Sequence, residues 1–299
     1  MVSSAFFMFK SYKKLYSHSQ NQKMKKIIIL LICLVVFTIN NSIAQQNKTT
    51  SKKGTAYFSW GYNRESYSNS DIHFKNTTTA NYDFVLVNAA AHDKPGFTDG
   101  LQQFLSNDLT IPQYNFHIGY LFNNKRKLGI ELSWDHLKYV VNDNASMHIT
   151  GQINGNAIDK DTFVTPDFIH LQHTNGNNYL MLNLVKTQQL YKNKYVTFDL
   201  LGKVGIGPLV SYSISTILGD RNEGRFRIHG FVAGASIATR ISFLKYLFIQ
   251  PSFQYAFADY LSTELGKDAV GRATHSFSSY TIMLEGGMKF DVPFEKKKL

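Results

Sequence analysis

Cysteine, proline and long apolar runs are all scarce in this chain. One cysteine, Cys33, occurs in 299 residues, and the six prolines are scattered without a Pro- or Ser-rich linker. No stretch reaches the roughly 20 apolar residues that a transmembrane helix needs. These absences exclude a disulfide framework. They also argue against a helical membrane protein and against several domains joined by linkers.

The longest apolar run predicts export rather than a membrane span. Thirteen residues, 27–39, follow Lys25 and Lys26 and precede Ser42-Ile43-Ala44. A basic start, a short apolar core and a small-x-small site are typical of a secretory signal peptide. We therefore predict a signal peptide over 24–44, with 1–23 as a candidate upstream mis-start of translation and 45–53 as a short N-terminal segment. Cys33 lies in the apolar core and leaves with the signal peptide.

The net charge is modest once the predicted signal peptide and the residues before it are set aside. Six of the 32 basic residues and none of the 21 acidic residues precede Gln45, which leaves 26 basic against 21 acidic residues and a net charge of +5. The one basic block is the C-terminal tail, 295–299. The electrostatic footprint of a nucleic-acid-binding protein is therefore absent, and we expect no nucleic-acid partner.

Aromatic residues, by contrast, are abundant, with 17 Tyr and 23 Phe. Many of them recur with a period of two, which predicts strands that have one apolar and one more polar face. Eight segments show this alternation: 56–63, 114–122, 128–135, 180–185, 196–207, 225–241, 247–257 and 280–290. The sixth segment changes phase near Gly230, which indicates a β-bulge.

The connections between these segments alternate strictly between short and long. The short turns are 123–127, 192–194 and 242–245, and the long connections are 65–111, 142–177, 211–224 and 259–276. Short periplasmic turns, long external loops and an even strand count are typical of outer-membrane barrels. We predict an all-β fold, an eight-stranded antiparallel transmembrane β-barrel over 54–294 with long external loops and both termini in the periplasm.

A ten-stranded barrel is the alternative to this prediction. Residues 82–88 in the first long connection also have the pattern of a strand, with a hairpin partner near 71–75. Residues 147–153 and 163–171 in the second long connection are similar. We expect strands of this kind to extend beyond the membrane as an external β-structure. If the 71–88 hairpin entered the membrane instead, the barrel would have ten strands.

The signal peptide, the eight alternating segments and the aromatic residues Phe290 and Phe294 at the end of the last strand together suggest a family. The chain resembles the small outer-membrane β-barrel proteins of Gram-negative, Bacteroidetes-like bacteria, in particular OmpA/OmpX-like and OmpW-like barrels. The resemblance covers about 54–294. It implies location in the cell outer membrane, with outer-membrane lipid and the barrel assembly machinery as partners and no cofactor. The fold hosts unrelated activities, so it implies no single function.

The two faces of each strand predict two sets of residues. Lipid requires the apolar face outward, and we expect these side chains to face lipid: Phe116, Leu132, Leu200, Phe253 and Leu284. Eight strands leave an interior that side chains just fill. The inward set is Glu131, Asp135, Asp199, Lys203, Arg240, Glu285 and Lys289. Because an unpaired buried charge is costly, we expect these charges to pair in a network that closes the lumen. A conducting pore would need a wider barrel.

Catalytic and metal-binding patterns are weak. Trp134-Asp135-His136 and His275-Ser276 lie near predicted strand ends, but a hydrolase needs a hydroxyl within roughly 3 Å of a histidine that an acid orients. Ser133 and His136 are three residues apart, which places them on opposite faces of a strand. The metal candidates are Asp71-Ile72-His73, His92-Asp93 and His170-x-x-His173. They match no recognised zinc or calcium spacing, so we expect neither a metal nor a catalytic site.

Two classes of function remain open. The preferred hypothesis is a non-enzymatic outer-membrane barrel with a closed polar lumen. Its role would be structural or adhesive, with the external loops as the surface for an external ligand or surface partner. The alternative is an outer-membrane lipid-modifying hydrolase or acyltransferase, or a narrow, porin-like channel for a small solute.

Overall fold

The computed structural model describes residues 53–95, 112–122 and 127–293, which form one antiparallel sheet of fifteen strands. The predicted signal peptide, residues 1–23, Phe294, the basic tail and most of the predicted turn 123–127 lie outside the described residues. Within these described ranges, no helix is long and apolar enough to cross a membrane.

The strands account for most of the described chain. Their bounds are β1 Lys53–Tyr67, β2 Ser70–Asn76, β3 Tyr82–Ala89, β4 Ala91–His92, β5 Tyr114–Leu121, β6 Leu128–Val141, β7 Ala145–Ile153, β8 Asn156–Val164, β9 Ile169–Lys192, β10 Val196–Ser211, β11 Ile214–Ile217, β12 Asp220–Glu223, β13 Arg227–Phe243, β14 Leu247–Leu265 and β15 Gly271–Pro293.

Eight of these strands form a closed cycle of antiparallel pairings, which we call the ring. Starting from β1, the neighbours are β5, β6, β9, β10, β13, β14 and β15 in turn, and β15 pairs back with β1. That last pairing is continuous from Lys53 opposite Pro293 to Tyr67 opposite Ser279. Each ring strand therefore has a partner on both sides, which removes the exposed edges of an open sheet. Each of the eight predicted segments overlaps one ring strand.

The sheet has fifteen strands, eight in the ring and seven in the long connections, where the sequence already indicated further strands. The seven additional strands, which we call the cap, are β2, β3, β4, β7, β8, β11 and β12, and all lie in connections predicted to be long loops. The predicted hairpin within 71–88 is confirmed as β2 and β3, with Phe74 opposite Phe84. Ring strands also run further than their alternation indicates, since β9 begins at Ile169 rather than near 180. Backbone groups enclosed away from water need hydrogen-bond partners, and strand pairing supplies them along these connections.

Local sequence explains two details of the sheet. Asn154 and Gly155, which join β7 to β8, have φ angles of 53° and 78°. Asn-Gly favours this left-handed backbone, which a tight two-residue hairpin requires. The predicted bulge near Gly230 is also confirmed, because Leu209 pairs with Gly230 but Val210 pairs with Ile228, which leaves His229 as the extra residue.

Apolar and polar side chains are segregated along the inside of the ring. Where the cap attaches, Phe74, Phe84, Tyr139, Tyr260 and Phe277 belong to one large apolar core, each at most 2% exposed. A small second cluster of Val185, Leu201 and Ala238 lies towards the short turns that join β9 to β10 and β13 to β14. Polar side chains fill the interior between these two clusters. We call the two ends of the ring the capped end and the short-turn end.

The outward positions of the ring are apolar and exposed. The exposed side chains include Phe58, Trp60, Tyr62, Phe116, Ile118, Ile130, Leu132, Trp134, Leu182, Leu184, Ile237, Ile249, Phe253, Ile282 and Leu284. Their neighbours along the strands, such as Ser59, Asn115 and Ser133, are buried. In a water-soluble antiparallel sheet the apolar face is the buried one. The ring therefore has the opposite arrangement.

Candidate functional site

Glu131 on β6 is the acceptor in the first polar group inside the ring. One of its oxygens, Oε2, accepts a hydrogen bond from the Tyr57 hydroxyl on β1 at 2.7 Å. Both oxygens accept from Lys203 Nζ on β10, at 2.7 and 2.8 Å. Because β9 lies between β6 and β10, this ion pair joins two strands that are not direct neighbours. Both charged side chains are almost completely buried.

His117 on β5 connects two further carboxylates. Its Nδ1 lies 2.9 Å from Glu285 Oε1 on β15, and its Nε2 lies 2.8 Å from Asp135 Oδ1 on β6. Glu131 Oε1 is 3.8 Å from the same Nδ1. Nε2 is hydrogen-bonded to Asp135, whereas Nδ1 is within ion-pair distance of Glu285 and Glu131. Three buried carboxylates thus surround one histidine, with Lys203 and Arg240 as the permanent cations nearby.

Glu285 ties this group to the short-turn side of the interior. Its Oε1 accepts a hydrogen bond from the Ser59 hydroxyl at 2.7 Å, and its Oε2 accepts from Gln250 Nε2 at 2.9 Å. Gln250 Oε1 in turn accepts from Arg240 Nε at 2.8 Å. The Arg240 guanidinium also lies 3.9 Å from the centre of the Tyr57 ring. Such a cation–π contact offsets part of the cost of burying a charge.

Asp135 extends the network towards the capped end. Asn115 Nδ2 donates to Asp135 Oδ1 at 2.7 Å, and Gln254 Nε2 donates to its Oδ2 at 3.3 Å. Asn63 Nδ2 then donates to Asn115 Oδ1 at 3.1 Å, and Gln113 Nε2 donates to Asn63 Oδ1 at 2.8 Å. The polar side chains therefore form one connected network from Arg240 to Gln113.

The arrangement of this network suits packing better than chemistry. With His117 protonated, three carboxylates (Glu131, Asp135 and Glu285) face three cations (His117, Lys203 and Arg240), so the charges balance. Paired and hydrogen-bonded charges tolerate burial, whereas an isolated one does not. Every one of these six side chains is at most 4% exposed. A substrate in solution cannot reach groups so completely enclosed.

The seven predicted inward residues have two kinds of environment. Glu131, Asp135, Lys203, Arg240 and Glu285 are buried in the network described above. The remaining two, Asp199 and Lys289, are half-buried near the short-turn end. Lys289 Nζ donates to the Ser242 hydroxyl at 2.8 Å.

Four of the five predicted lipid-facing residues are exposed on the outside of the ring. Phe116, Leu132, Phe253 and Leu284 have exposed fractions of 38%, 50%, 44% and 61%. Leu200 is half-buried.

The sequence reasoning left three important members of the network out of the predicted site. His117 occupies an inward position of the second alternating segment, so the period-two signal contained it. Tyr57 lies on the polar face of the first segment for the same reason, and Gln250 on that of the seventh. A search for every polar side chain on an inward face, rather than for charges alone, would have found all three.

A second polar cluster lies within the apolar core at the capped end. The Nδ1 of His173 on β9 is 2.7 Å from the Ser213 hydroxyl, and its Nε2 is 3.3 Å from Nε2 of His275 on β15. The ring of Tyr260 stacks on His173 at 4.2 Å. Burial removes the water that would stabilise an imidazolium, so the pKa of His275 falls to about 3 and that of His173 also falls well below its usual value.

The hydrolase candidates are not assembled as a catalytic site. Ser133 Oγ donates to the Met181 carbonyl at 3.5 Å, while His136 Nδ1 is 2.8 Å from Asn178 Oδ1, so these two residues have separate partners. Ser213 does contact His173, but the group on the other side of that ring is His275 rather than an acid. Both Ser213 and His173 are buried. An attacking hydroxyl needs an oriented base and access to substrate.

The histidine and aspartate pairs considered as metal ligands bond to other groups. His73 Nε2 lies 2.6 Å from Asp83, His92 Nδ1 lies 2.5 Å from Asn142, and His170 Nδ1 lies 2.8 Å from Asp143. Among the residues that the structure describes, no group of three or more His, Cys, Asp or Glu is arranged to hold a metal ion.

Comparison with known proteins gives matches in structure but not in sequence. No protein-family model and no curated protein matches the chain. The outer membrane protein OprG of Pseudomonas aeruginosa matches at 9% identity over 80% of this chain and 96% of its own, with a TM-score of 0.37. The attachment invasion locus protein Ail of Yersinia pestis matches at 12% identity over 80% and 99%, with a TM-score of 0.32.

The outer membrane protease OmpT of Escherichia coli also matches, at 8% identity over 83% of this chain and 99% of its own, with a TM-score of 0.35. The chain is similar to small Gram-negative outer-membrane β-barrels. At these identities the likeness concerns the fold alone, and none of these proteins' activities transfers to this chain.

Proposed function

We propose that the ring is an eight-stranded transmembrane β-barrel of the cell outer membrane. The observation that carries this proposal is the outward face of the ring, where Ile118, Leu132 and Leu284 are 50% or more exposed. A soluble protein rarely exposes a continuous apolar surface of this kind. Lipid tails cover such a surface, and an outer-membrane barrel has an apolar band outside and polar side chains inside.

The pairings favour eight strands over ten. β1 and β15 are hydrogen-bonded along the whole of β1, so no strand lies between them. Among the described residues, strand pairing joins the β2–β3 hairpin to a ring strand only where Lys75, Phe74 and His73 lie opposite residues 272–274 of β15. These residues lie beyond the level at which β1 ends. The hairpin therefore continues the sheet outside the proposed membrane-spanning part.

The interior supports a structural or adhesive role rather than transport or catalysis. The Glu131–Lys203 pair and the His117 group lie inside the ring, the Gln254–Asp135 hydrogen bond joins the opposite strands β14 and β6, and the apolar core lies at the capped end. Eight strands leave no room for a water-filled pore once such side chains are packed. Function then depends on the cap as the surface that meets an external ligand or partner. Outer-membrane lipid and the barrel assembly machinery are the further partners that this fold requires.

Labelling of single cysteines on intact cells tests this topology. The mature chain contains no other cysteine, because Cys33 leaves with the signal peptide. Asn156→Cys lies in the β7–β8 hairpin of the cap, and Lys194→Cys lies in the turn between β9 and β10, where both native residues are exposed. A membrane-impermeant maleimide should label Asn156→Cys on intact cells and Lys194→Cys only after the outer membrane is permeabilised. The reverse pattern would invert the topology, and labelling of both would argue against a spanning barrel.

A further inference from the structure

An open cavity of about 530 Å³ is lined by residues of the cap, of one ring strand, β14, and of the connections beside them. One wall is the end of the β11–β12 hairpin with the connection to β13, and the other is the turn between β14 and β15. Its charged lining residues are Arg221, Glu223, Arg225, Glu264 and Lys267. None of these residues takes part in the network inside the ring, so the cavity is a separate feature of the molecule.

The acids of this cavity are already paired. Arg221 Nη2 lies 2.7 Å from Glu223 Oε1, and Arg227 Nη1 lies 2.8 Å from Glu264 Oε1. Arg225 and Lys267 are exposed, and no acid of the described residues lies within ion-pair distance of either. Arg225 and Lys267 are therefore the two lining cations that lie outside these ion pairs.

Two other acids beside the cavity are also engaged by donors. Asp220 Oδ2 accepts a hydrogen bond from the backbone N–H of Lys267 at 3.2 Å. Asp268 accepts from the backbone N–H of Val270 at 3.0 Å and from the Thr79 hydroxyl at 2.7 Å. These bonds hold both carboxylates in the turn. The bond between Asp220 and Lys267 also holds the two walls together. Asn222 Nδ2 on β12 adds a second link by donating to the Gly266 carbonyl of the opposite turn.

Exposed apolar side chains lie on the connection and strands that adjoin these lining segments. Phe226 directly follows Arg225 and is 57% exposed, and Ile228 on β13 is 70% exposed. Leu261 on the adjoining strand β14 is 59% exposed. A cationic pair beside exposed apolar side chains matches a ligand that has an anionic head and an apolar body. A basic surface near a membrane attracts anionic headgroups in the same way.

We propose that this cavity binds a phosphate monoester, with Arg225 and Lys267 as the binding side chains. The guanidinium offers a fork of donors that fits phosphate oxygens, and the ammonium adds a compact charge. The apolar neighbours favour a phosphate carried by a lipid headgroup over a soluble one. This inference rests on the proposed function, since it needs the cap to lie at the outer surface where such headgroups are found.

Calorimetric titration of the refolded protein in neutral detergent micelles tests the site. The probes are dihexanoyl phosphatidic acid, with a lipid phosphate monoester, and glucose 1-phosphate, with a soluble one. Arg225→Gln/Lys267→Gln removes both cations, and Lys94→Gln/Lys160→Gln is the matched control, since both of those lysines are exposed elsewhere. Heat-dependent electrophoretic mobility shows whether each variant is folded.

We expect the Arg225→Gln/Lys267→Gln protein to bind phosphatidic acid at least tenfold more weakly than the wild type, which corresponds to about 1.4 kcal/mol. The control variant should bind within twofold of the wild type, and added salt should weaken binding. Equal affinity for glucose 1-phosphate supports the site with a soluble ligand, and weaker affinity supports a lipid ligand. No saturable binding of either probe, or unchanged binding by the folded double variant, would overturn the proposal.

Failure of the proposed function is distinguishable from failure of this site. Binding in micelles does not depend on which side of a membrane the cap occupies. If the cysteine labelling fails while the double variant still loses binding, the topology is wrong and the phosphate site stands. If labelling succeeds and binding is unchanged, the topology stands and the site is wrong.

Discussion

At the scale of single residues, the interior of the ring is a set of charges that depend on one another. Glu131, Asp135 and Glu285 are buried together, and each accepts hydrogen bonds from at least two side chains. Removal of one partner leaves the other charge without compensation in a poorly solvated place, and this costs more than the pair itself contributes. Single substitutions here should therefore have larger effects than substitutions on the cap.

Lys203→Met is the sharpest test of this dependence. It keeps the length of the side chain but leaves Glu131 with only Tyr57 as a close donor, so we expect the free energy of unfolding to fall by about 3–5 kcal/mol. The measurement is a urea titration of protein refolded in lipid vesicles. Lys94→Met is the matched control, because Lys94 is exposed, and its effect should lie within about 0.5 kcal/mol. Equal effects of the two substitutions would contradict the network.

The low pKa of His275 predicts how the stability of the protein depends on pH. Its pKa in the folded protein is about 3, whereas a histidine in an unfolded chain titrates near ~6.5. Between these values the unfolded chain binds more protons, so stability should fall as the pH drops from about 6.5 towards 3. His275→Phe keeps an aromatic ring against Tyr139 and Tyr260 but removes the titrating group. We expect its unfolding free energy to fall less between pH 7 and pH 4.5 than that of the wild type.

His148→Phe is the control for this pH experiment. His148 is on the surface of the cap between Asp161 and Asp159, and hydrogen bonds to these two carboxylates raise its pKa. A group with a raised pKa changes stability with pH in the opposite direction, since its contribution to stability is lost as pH rises. His148→Phe should therefore leave the loss of stability on acidification in place. A curve for His275→Phe that parallels the wild type would count against the buried histidine pair.

At the scale of single strands, alternation decides which substitutions are tolerated. Along β6, Leu132 is half exposed on the outside of the ring, and Ser133 beside it is buried inside. Successive side chains of an extended backbone point to opposite faces of the sheet. A shift of the strand pairing by one residue therefore moves each side chain to the other face. Each ring strand therefore meets two environments, lipid on one face and a polar interior on the other.

The outward face of the ring predicts how much an arginine substitution there destabilises the protein. Leu132→Arg and Leu284→Arg place a charge where the proposal puts lipid tails, which should cost about 2–4 kcal/mol near the bilayer midplane. Ser252→Asn changes a residue of the opposite, inward face and should cost much less. Folding titrations in lipid vesicles give all three values. If arginine is tolerated at Leu132 and Leu284 as well as asparagine is at Ser252, the assignment of the two faces is wrong.

At the scale of the whole molecule, the buried side chains of the described residues form three layers along the ring. The apolar core lies at the capped end, the charged network in the middle and the cluster of Val185, Leu201 and Ala238 towards the short-turn end. Apolar packing excludes water at close-packed density. The charged side chains of the middle layer are each at most 4% exposed, which is why their charges must be paired with each other.

This closure predicts negligible ion conductance. Purified protein reconstituted in a planar bilayer should show no steady single-channel currents, because the Glu131–Lys203 pair and the apolar core both block the path. The double variant Glu131→Gln/Lys203→Met should remain silent as well, since the core at the capped end is unchanged. Large, steady currents from the wild-type protein would refute the closed interior and place the channel hypothesis first.

Local sequence pattern and closure of the ring determine different features of the structure. Alternation in the sequence is a local property, so it was enough to locate the eight ring strands, the bulge near Gly230, the β2–β3 hairpin and the separation of Leu132 from Glu131. It also located β7 at 147–153, but it missed the full length of β9 and the strands β4, β8, β11 and β12, because polar strands such as β8 alternate weakly and depend on pairing with their neighbours.

What the sequence by itself determined is which side chains are inward and which are outward. Only the tertiary structure decided their partners. Lys203 is four residues from Asp199 on the same face, yet it binds Glu131 on a strand that is not its neighbour. His117 lies between Asp135 and Glu285, and Arg225 and Lys267 line the same cavity, only because distant segments converge. Period two specifies a face for each residue, whereas contact across an interior depends on how the whole sheet closes.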